Sequence, residues 1–196
     1  TGSSATVGHG LGVAPSMIII KNRSASVSWP VWHTSKPSNQ LYLNLQNALD
    51  TPDISSVGAS TFAVDTWSGV NGSGNGMVAY CWAPVAGFSA FGSYTGNGST
   101  SGPFVYTGFR PRFILIKRTD ASADWALNDS ARIGYNTANY DLFPNLTNAE
   151  ADDGPVLDFL SNGFRLTCTY TSRNASGSNY IYAAFAENPF KYANAR

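Results

Sequence analysis

Residues 15–29 read PSMIIIKNRSASVSW, and residues 111–125 read PRFILIKRTDASADW. The two stretches align without a gap at a separation of 96 positions (111 − 15), and Pro, two Ile, Lys, Ala, Ser and Trp coincide. The correspondence continues outward with small gaps. Leu41–Ala48 answers Leu142–Ala149, Phe62-Ala63-Val64 answers Phe164-Arg165-Leu166, and Asn71–Ala83 answers Asn174–Ala186. A self-match of this length marks two copies of one structural unit. Positions held in both copies serve the shared scaffold, and positions that differ are free for work specific to one copy.

Both copies read as β-structure. Met17–Arg23, Trp29–His33, Gln40–Leu45, Thr61–Trp67 and Met77–Ala83 are β-branched or aromatic runs bounded by turn residues. The second copy offers Phe104–Thr107, Phe113–Thr119, Trp125–Asn128, Tyr140–Phe143, Gly163–Tyr170 and Tyr180–Ala186. Phe62, Val64 and Phe164, Leu166, Cys168 alternate with Ala63, Asp65 and Arg165, Thr167, which assigns the even-numbered face to the core. Asn-Gly pairs at 71–72, 75–76, 97–98 and 162–163 are turn sites. Single helical turns are expected at Leu45–Asp50 and Asn145–Ala151. The fold class is therefore all-β: two tandem, homologous β-sandwich-like repeats of jelly-roll or lectin-like type, over residues 1–93 and 94–196. The sequence leaves open whether they form two bodies or one pseudo-two-fold body.

Composition narrows the function. The 196-residue chain carries zero formal net charge, and only 12% of its residues are charged, about half the usual share. Nothing here provides a bulk attraction to nucleic acid or to an acidic membrane. There is no run of about 18 apolar residues, so no helical membrane span is expected, and no signal peptide is visible. The two cysteines, Cys81 and Cys168, fall on non-equivalent positions of the two copies and read as free thiols rather than as a disulfide framework.

Chemistry-bearing constellations are sparse. His9 and His33 are the only histidines, and neither recurs in the other copy. Gly8-His9-Gly10-Leu11-Gly12 lacks the Lys-Ser/Thr of a phosphate-binding loop. No catalytic set is assigned and no enzyme is expected. Asp152-Asp153-Gly154 offers oxygen ligands that suit Ca²⁺, though without EF-hand spacing; no other cofactor is indicated. Trp29 and Trp125 are shared, and so assigned to the core. Trp32, His33 and Trp67 face Asn128, Asp129 and a non-aromatic position in the second copy. They are the copy-specific candidates for a surface site, with Asp65 as a hydroxyl-binding partner: aromatic faces stack on sugar rings while carboxylates bind the hydroxyls.

Four motifs carry a family resemblance: Val7-Gly8-His9-Gly10-Leu11-Gly12-Val13-Ala14-Pro15 followed by Ile18-Ile19-Ile20-Lys21; Phe91-Gly92-Ser93-Tyr94-Thr95-Gly96-Asn97-Gly98-Ser99; Gly102-Pro103-Phe104-Val105-Tyr106-Thr107-Gly108-Phe109-Arg110-Pro111; and Tyr180-Ile181-Tyr182-Ala183-Ala184-Phe185-Ala186-Glu187-Asn188-Pro189-Phe190-Lys191. The chain resembles the duplicated C-terminal region of bacteriophage tail and tail-fibre proteins, often found behind lectin-like modules. Ala193-Asn194-Ala195-Arg196 reads as a natural C-terminus. The resemblance implies a virion protein assembled in the host cytoplasm, a homotrimer in contact with other virion proteins, and a module that recognises host surface polysaccharide without nucleic acid or membrane insertion. A capsid decoration or head-fibre protein without ligand is the first alternative, and a polysaccharide depolymerase the second.

Overall fold

The computed structural model describes residues 1–132 and 135–188; Phe190, Lys191 and the Ala193–Arg196 end fall outside them. The chain divides into two units, Thr1–Ala83 and Pro84–Arg196. Unit 1 contains β1 (Ala5–Gly8), β2 (Met17–Asn22), β3 (Pro30–His33), β4 (Leu41–Tyr42), β5 (Ile54–Ser55), β6 (Thr61–Val64), the helical turn α1 (Ser68–Asn71) and β7 (Met77–Trp82). Unit 2 contains β8 (Ser89–Thr95), β9 (Phe104–Tyr106), β10 (Pro111–Arg118), β11 (Trp125–Asp129), β12 (Ala138–Asp141), β13 (Ala151–Leu160), β14 (Gly163–Leu166), the turn α2 (Thr171–Asn174) and β15 (Asn179–Ala186). All the strand pairings are antiparallel.

Unit 1 has one sheet in the order β4-β3-β2-β7 and a second in the order β1-β6-β5. Unit 2 has β11-β10-β15-β8 and β12-β13-β14-β9. The order β3-β2-β7 thus has its parallel in β11-β10-β15, and β1-β6-β5 in β9-β14-β13. The registers agree as well: Ile18 pairs with Cys81, and Ile114, 96 positions on, pairs with Ala184. Each unit has an apolar core fed by both of its sheets. Ile18, Ile20 and Trp32 meet Ile54, Phe62 and Val64 in unit 1. Ile114, Ile116, Tyr180 and Ala184 meet Val105, Phe159, Phe164 and Leu166 in unit 2. The even-numbered face of β6 and β14 is the inward one, and Asp65 and Arg165 point away from it. Strand β2 is buried on both faces, so Met17–Ile20 reads as an unbroken apolar run rather than as an alternation.

Two expectations change. The division falls after Ala83 rather than after Ser93, because β8 pairs with β15 from Ser89 to Thr95 and so belongs to unit 2. Leu45–Asp50 and Asn145–Ala151 are not helical, and Ala151 opens the ten-residue β13. Asn44 and Asn145 instead spend their side-chain carbonyls on the backbone N–H groups of Trp29 and Trp125, at 2.9 Å each. Asn used this way favours a turn over a helix. The helical turns sit at α1 and α2, where Asn71 and Asn174 are buried.

Candidate functional site

Trp32 and His33 do not form a surface platform. Trp32 is 6% exposed and belongs to the unit 1 core, where its indole N–H donates to the Pro37 carbonyl at 3.1 Å. Its counterpart Asn128 is equally buried and opens a polar network. The Asn128 amide donates to Asp141 Oδ1 at 2.5 Å, and Asp141 Oδ2 lies 2.5 Å from Arg173 Nη2, with both charged side chains essentially excluded from solvent. By the correspondence of the copies, Gln40 and Val70 stand where unit 2 has Asp141 and Arg173. Trp32 therefore differs from Asn128 because the two interiors are built differently. His33 is 2% exposed, and its Nδ1 accepts the Ser35 N–H at 3.1 Å. Asp129 does the same for the Ala131 and Arg132 N–H groups at 2.9 and 3.1 Å. Histidine and aspartate here close the same turn.

Asp65 lines a surface groove with residues the sequence did not single out, whereas Trp67 packs against the unit 1 core. Phe62 and Val64 of β6 face the core, so Ala63 and Asp65 face outward. They share that outer face with Thr6 of β1 and Ser55 of β5. The result is an open groove of about 350 Å³ lined by Ser4, Thr6, Asp53, Ser55, Ala63 and Asp65, among others. The Ser4 hydroxyl donates to Asp65 Oδ1 at 3.1 Å, and the Thr66 N–H to the same oxygen at 2.7 Å. Asp53 is held by buried Gln40, whose Oε1 accepts the Asp53 N–H at 2.9 Å and whose amide N–H reaches Asp53 Oδ2. The same amide reaches the Tyr42 hydroxyl at 3.1 Å, and that hydroxyl donates to Asp50 Oδ2 at 2.9 Å. Tyr42 meets the half-buried Trp67 edge-on, with ring centroids 5.9 Å apart. Trp67 folds back over Gly69, where a Cβ would come within 2.0 Å of the indole ring.

The groove is acidic, with Asp53 and Asp65 both in its lining. Burial pushes the Asp53 carboxyl above its usual range; Gln40 opposes this, and the neighbouring carboxylates of Asp65 and Asp50 add to it. Burial, together with the bond to Asp50, pushes the Tyr42 phenol up to about 12. The face therefore offers hydroxyl donors and acceptors and carboxylate acceptors, groups that complement a polyhydroxylated ligand. Among the described residues no group of three or more His, Cys, Asp or Glu side chains converges on a common point. Asp152, of the segment whose oxygens suit Ca²⁺, accepts the Gly154 N–H at 3.0 Å and the Asn139 amide at 3.1 Å. His9 is structural: its Nδ1 accepts the Leu11 N–H at 3.2 Å, and its Nε2 lies 3.0 Å from the Gly58 carbonyl.

A second exposed set lies on the equivalent face of unit 2. Phe104 and Tyr106 of β9 are 48% and 67% exposed, with Val105 buried between them. They pair with Arg165 and Gly163, and Arg165 makes an ion pair with Asp158 at 2.8 Å. The signal was present in the sequence as Phe-Val-Tyr in copy two against Thr6-Val7-Gly8 in copy one. It is readable once Val7 and Val105 are known to share an inward position.

The chain belongs to the protein family described as Domain of unknown function (DUF7483), whose pattern matches residues 1–189. No curated protein and no solved structure matches it.

Proposed function

We propose that this DUF7483 member is a glycan-recognition module on the surface of a bacteriophage particle, of tail-fibre or receptor-binding type. The observation that carries the ligand class is the unit 1 groove, where Ser4, Thr6 and Ser55 hydroxyls and two carboxylates line an open sheet face. The virion setting rests on the motif resemblance. Assembly as a trimer alongside other virion proteins would turn weak single-groove binding into avid attachment.

The test is binding of the purified protein to intact cells of candidate hosts, with and without removal of their surface polysaccharide. Binding that disappears on stripping is the expected result. Asp65→Ala should weaken it roughly tenfold through loss of a charge-assisted hydrogen bond. Unchanged binding by Asp65→Ala, with its melting temperature held, would remove the groove from the proposal.

A depolymerase is the second reading. A carboxyl with a raised pKa facing a second carboxylate is the arrangement of glycosidic acid catalysis, and Asp53 with Asp65 meets its electrostatic half. New reducing ends released from host polysaccharide, and lost in Asp53→Asn, would establish it.

A further inference from the structure

We propose that the unit 1 groove selects a polysaccharide whose hexosamine units carry free amines, and that the ligand's ammonium group takes the place that Arg165 fills in unit 2. The inference rests on the glycan reading of the groove and names the class of sugar it takes.

The outer faces of the two units compare rung by rung. In unit 1, Ala63 of β6 pairs with Thr6 on one side and with Ser55 on the other. In unit 2, Arg165 of β14 pairs with Phe104 on one side and with Asp158 on the other. The inward neighbours fix the equivalence. Phe62 pairs with Val7 as Phe164 pairs with Val105, and Val64 pairs with Ile54 as Leu166 pairs with Leu157. Ala63 therefore stands for Arg165, Thr6 for Phe104 and Ser55 for Asp158. The unit 2 rung carries its own cation, because the Arg165 guanidinium bonds Asp158 at 2.8 Å. In unit 1 all three side chains are short, and the space above them is the open groove of about 350 Å³.

The next rung reverses the charge. The Asp65 N–H donates to the Asp53 carbonyl at 3.0 Å, just as the Thr167 N–H donates to the Val156 carbonyl at 3.0 Å. Unit 1 thus sets two carboxylates side by side at a rung that is uncharged in unit 2. Like charges directly opposed across a sheet are destabilising. No Lys, Arg or His lines the groove, and neither Asp53 nor Asp65 enters an ion pair among the described residues. Internal hydrogen bonds reach Asp65 Oδ1 and Asp53 Oδ2. Asp65 Oδ2 and Asp53 Oδ1 are left for a ligand.

The group that fits is a compact cation that donates hydrogen bonds. Ca²⁺ takes roughly six to eight oxygens, and among the described residues no third carboxylate joins these two. A primary ammonium needs fewer partners and directs its N–H donors at carboxylate oxygens. The Thr6 and Ser55 hydroxyls then face the hydroxyls of the same sugar ring. The two carboxylates repel a polysaccharide built on uronic acids or phosphate, so the groove discriminates by charge as well as by shape.

The test titrates the intact chain calorimetrically, in mildly acid buffer that keeps sugar amines protonated. The probes are a glucosamine oligosaccharide and the same oligosaccharide fully N-acetylated. Acetylation removes the charge and keeps the ring, so the free-amine form should bind roughly tenfold or more tightly. Ala63→Arg with Ser55→Asp installs the unit 2 ion pair over the groove and should abolish the preference with the melting temperature held. Asp53→Asn with Asp65→Asn should do the same without added bulk. A preference that survives in both double variants overturns the site. Equal affinity for the two oligosaccharides, lost in Asp65→Ala, overturns the proposal and leaves the glycan reading standing. Equal affinity that Asp65→Ala does not change overturns both. Binding of neither probe also overturns the proposal, and the cell-binding assay then judges the glycan reading by itself. An oligolysine peptide that binds more tightly than the amino sugar overturns it in favour of a basic protein partner.

Discussion

Replacing Arg173 by Val tests whether the two interiors were rebuilt in concert. Arg173 is 1% exposed and Asp141 is fully buried, so Arg173→Val leaves a buried carboxylate without its cation, facing the Asn128 amide and the Asp153 carboxyl. Breaking a buried pair from one side costs about 3–5 kcal/mol, which for a chain of this size corresponds to a fall in melting temperature on the order of 10 °C. The cost should shrink at acid pH. Burial already pushes the Asp141 carboxyl up to about 6, and loss of the guanidinium pushes it higher. A carboxyl whose folded pKa lies above its unfolded value favours the folded state at low pH and loses that contribution as pH rises towards the folded pKa. Arg173→Val should therefore lie closer to wild type at pH 4 than at pH 7. The double variant Asp141→Gln, Arg173→Val installs the residues unit 1 uses at Gln40 and Val70. It should recover most of the loss, to within about 1 kcal/mol of wild type, because a buried pair replaced as a whole is often near neutral. Denaturant unfolding of the four proteins of the cycle gives the coupling directly. A double variant as unstable as the sum of the singles would refute the reasoning.

Other outcomes follow from the same geometry. His33→Asp should keep wild-type stability while His33→Ala loses on the order of 1 kcal/mol, measured by thermal unfolding, because Asp129 closes the equivalent turn with a carboxylate. Burial pushes the Lys117 ammonium down to about 8, so between pH 8 and 10 the unfolded chain holds the extra proton and stability should rise with pH; Lys117→Met should flatten that rise in urea midpoints. Above pH 10 the sign reverses for Tyr42, whose phenol keeps its proton up to about 12 when folded. Gly69→Ala should displace the Trp67 ring from its packing against the unit 1 core and lower the melting temperature, read by tryptophan fluorescence alongside thermal unfolding.

The strands were legible where burial leaves a pattern: the apolar run of β2 and the alternation of β6 and β14. The helical turns were misplaced because Asn44 and Asn145 use their side chains against the chain's own backbone, which composition does not reveal. The site was half legible. Asp65 lines the groove, but Trp32 and His33 were singled out by a rule that treats differing positions as surface positions, and Trp67 packs against the core. Trp32, Gln40 and Val70 differ from Asn128, Asp141 and Arg173 as a set, and sets of that kind belong to interiors. Asp53 and Tyr42 were invisible because Gln40, the residue that joins them, lies more than ten positions from one of them and carries no charge.

The pairing of β8 with β15 bears on how unit 2 answers to mechanical load. Ser89 opposes Phe185 and Thr95 opposes Asn179, so the chain enters and leaves the sheet at the same end. Tension drawn through those two strands would open the ladder one rung at a time, like a zipper, instead of loading every rung in parallel as in shear. A domain wired in this way yields at low force along β8 first, and the four-stranded sheet shortens to three as Ala90 and Tyr94 leave the core they pack against.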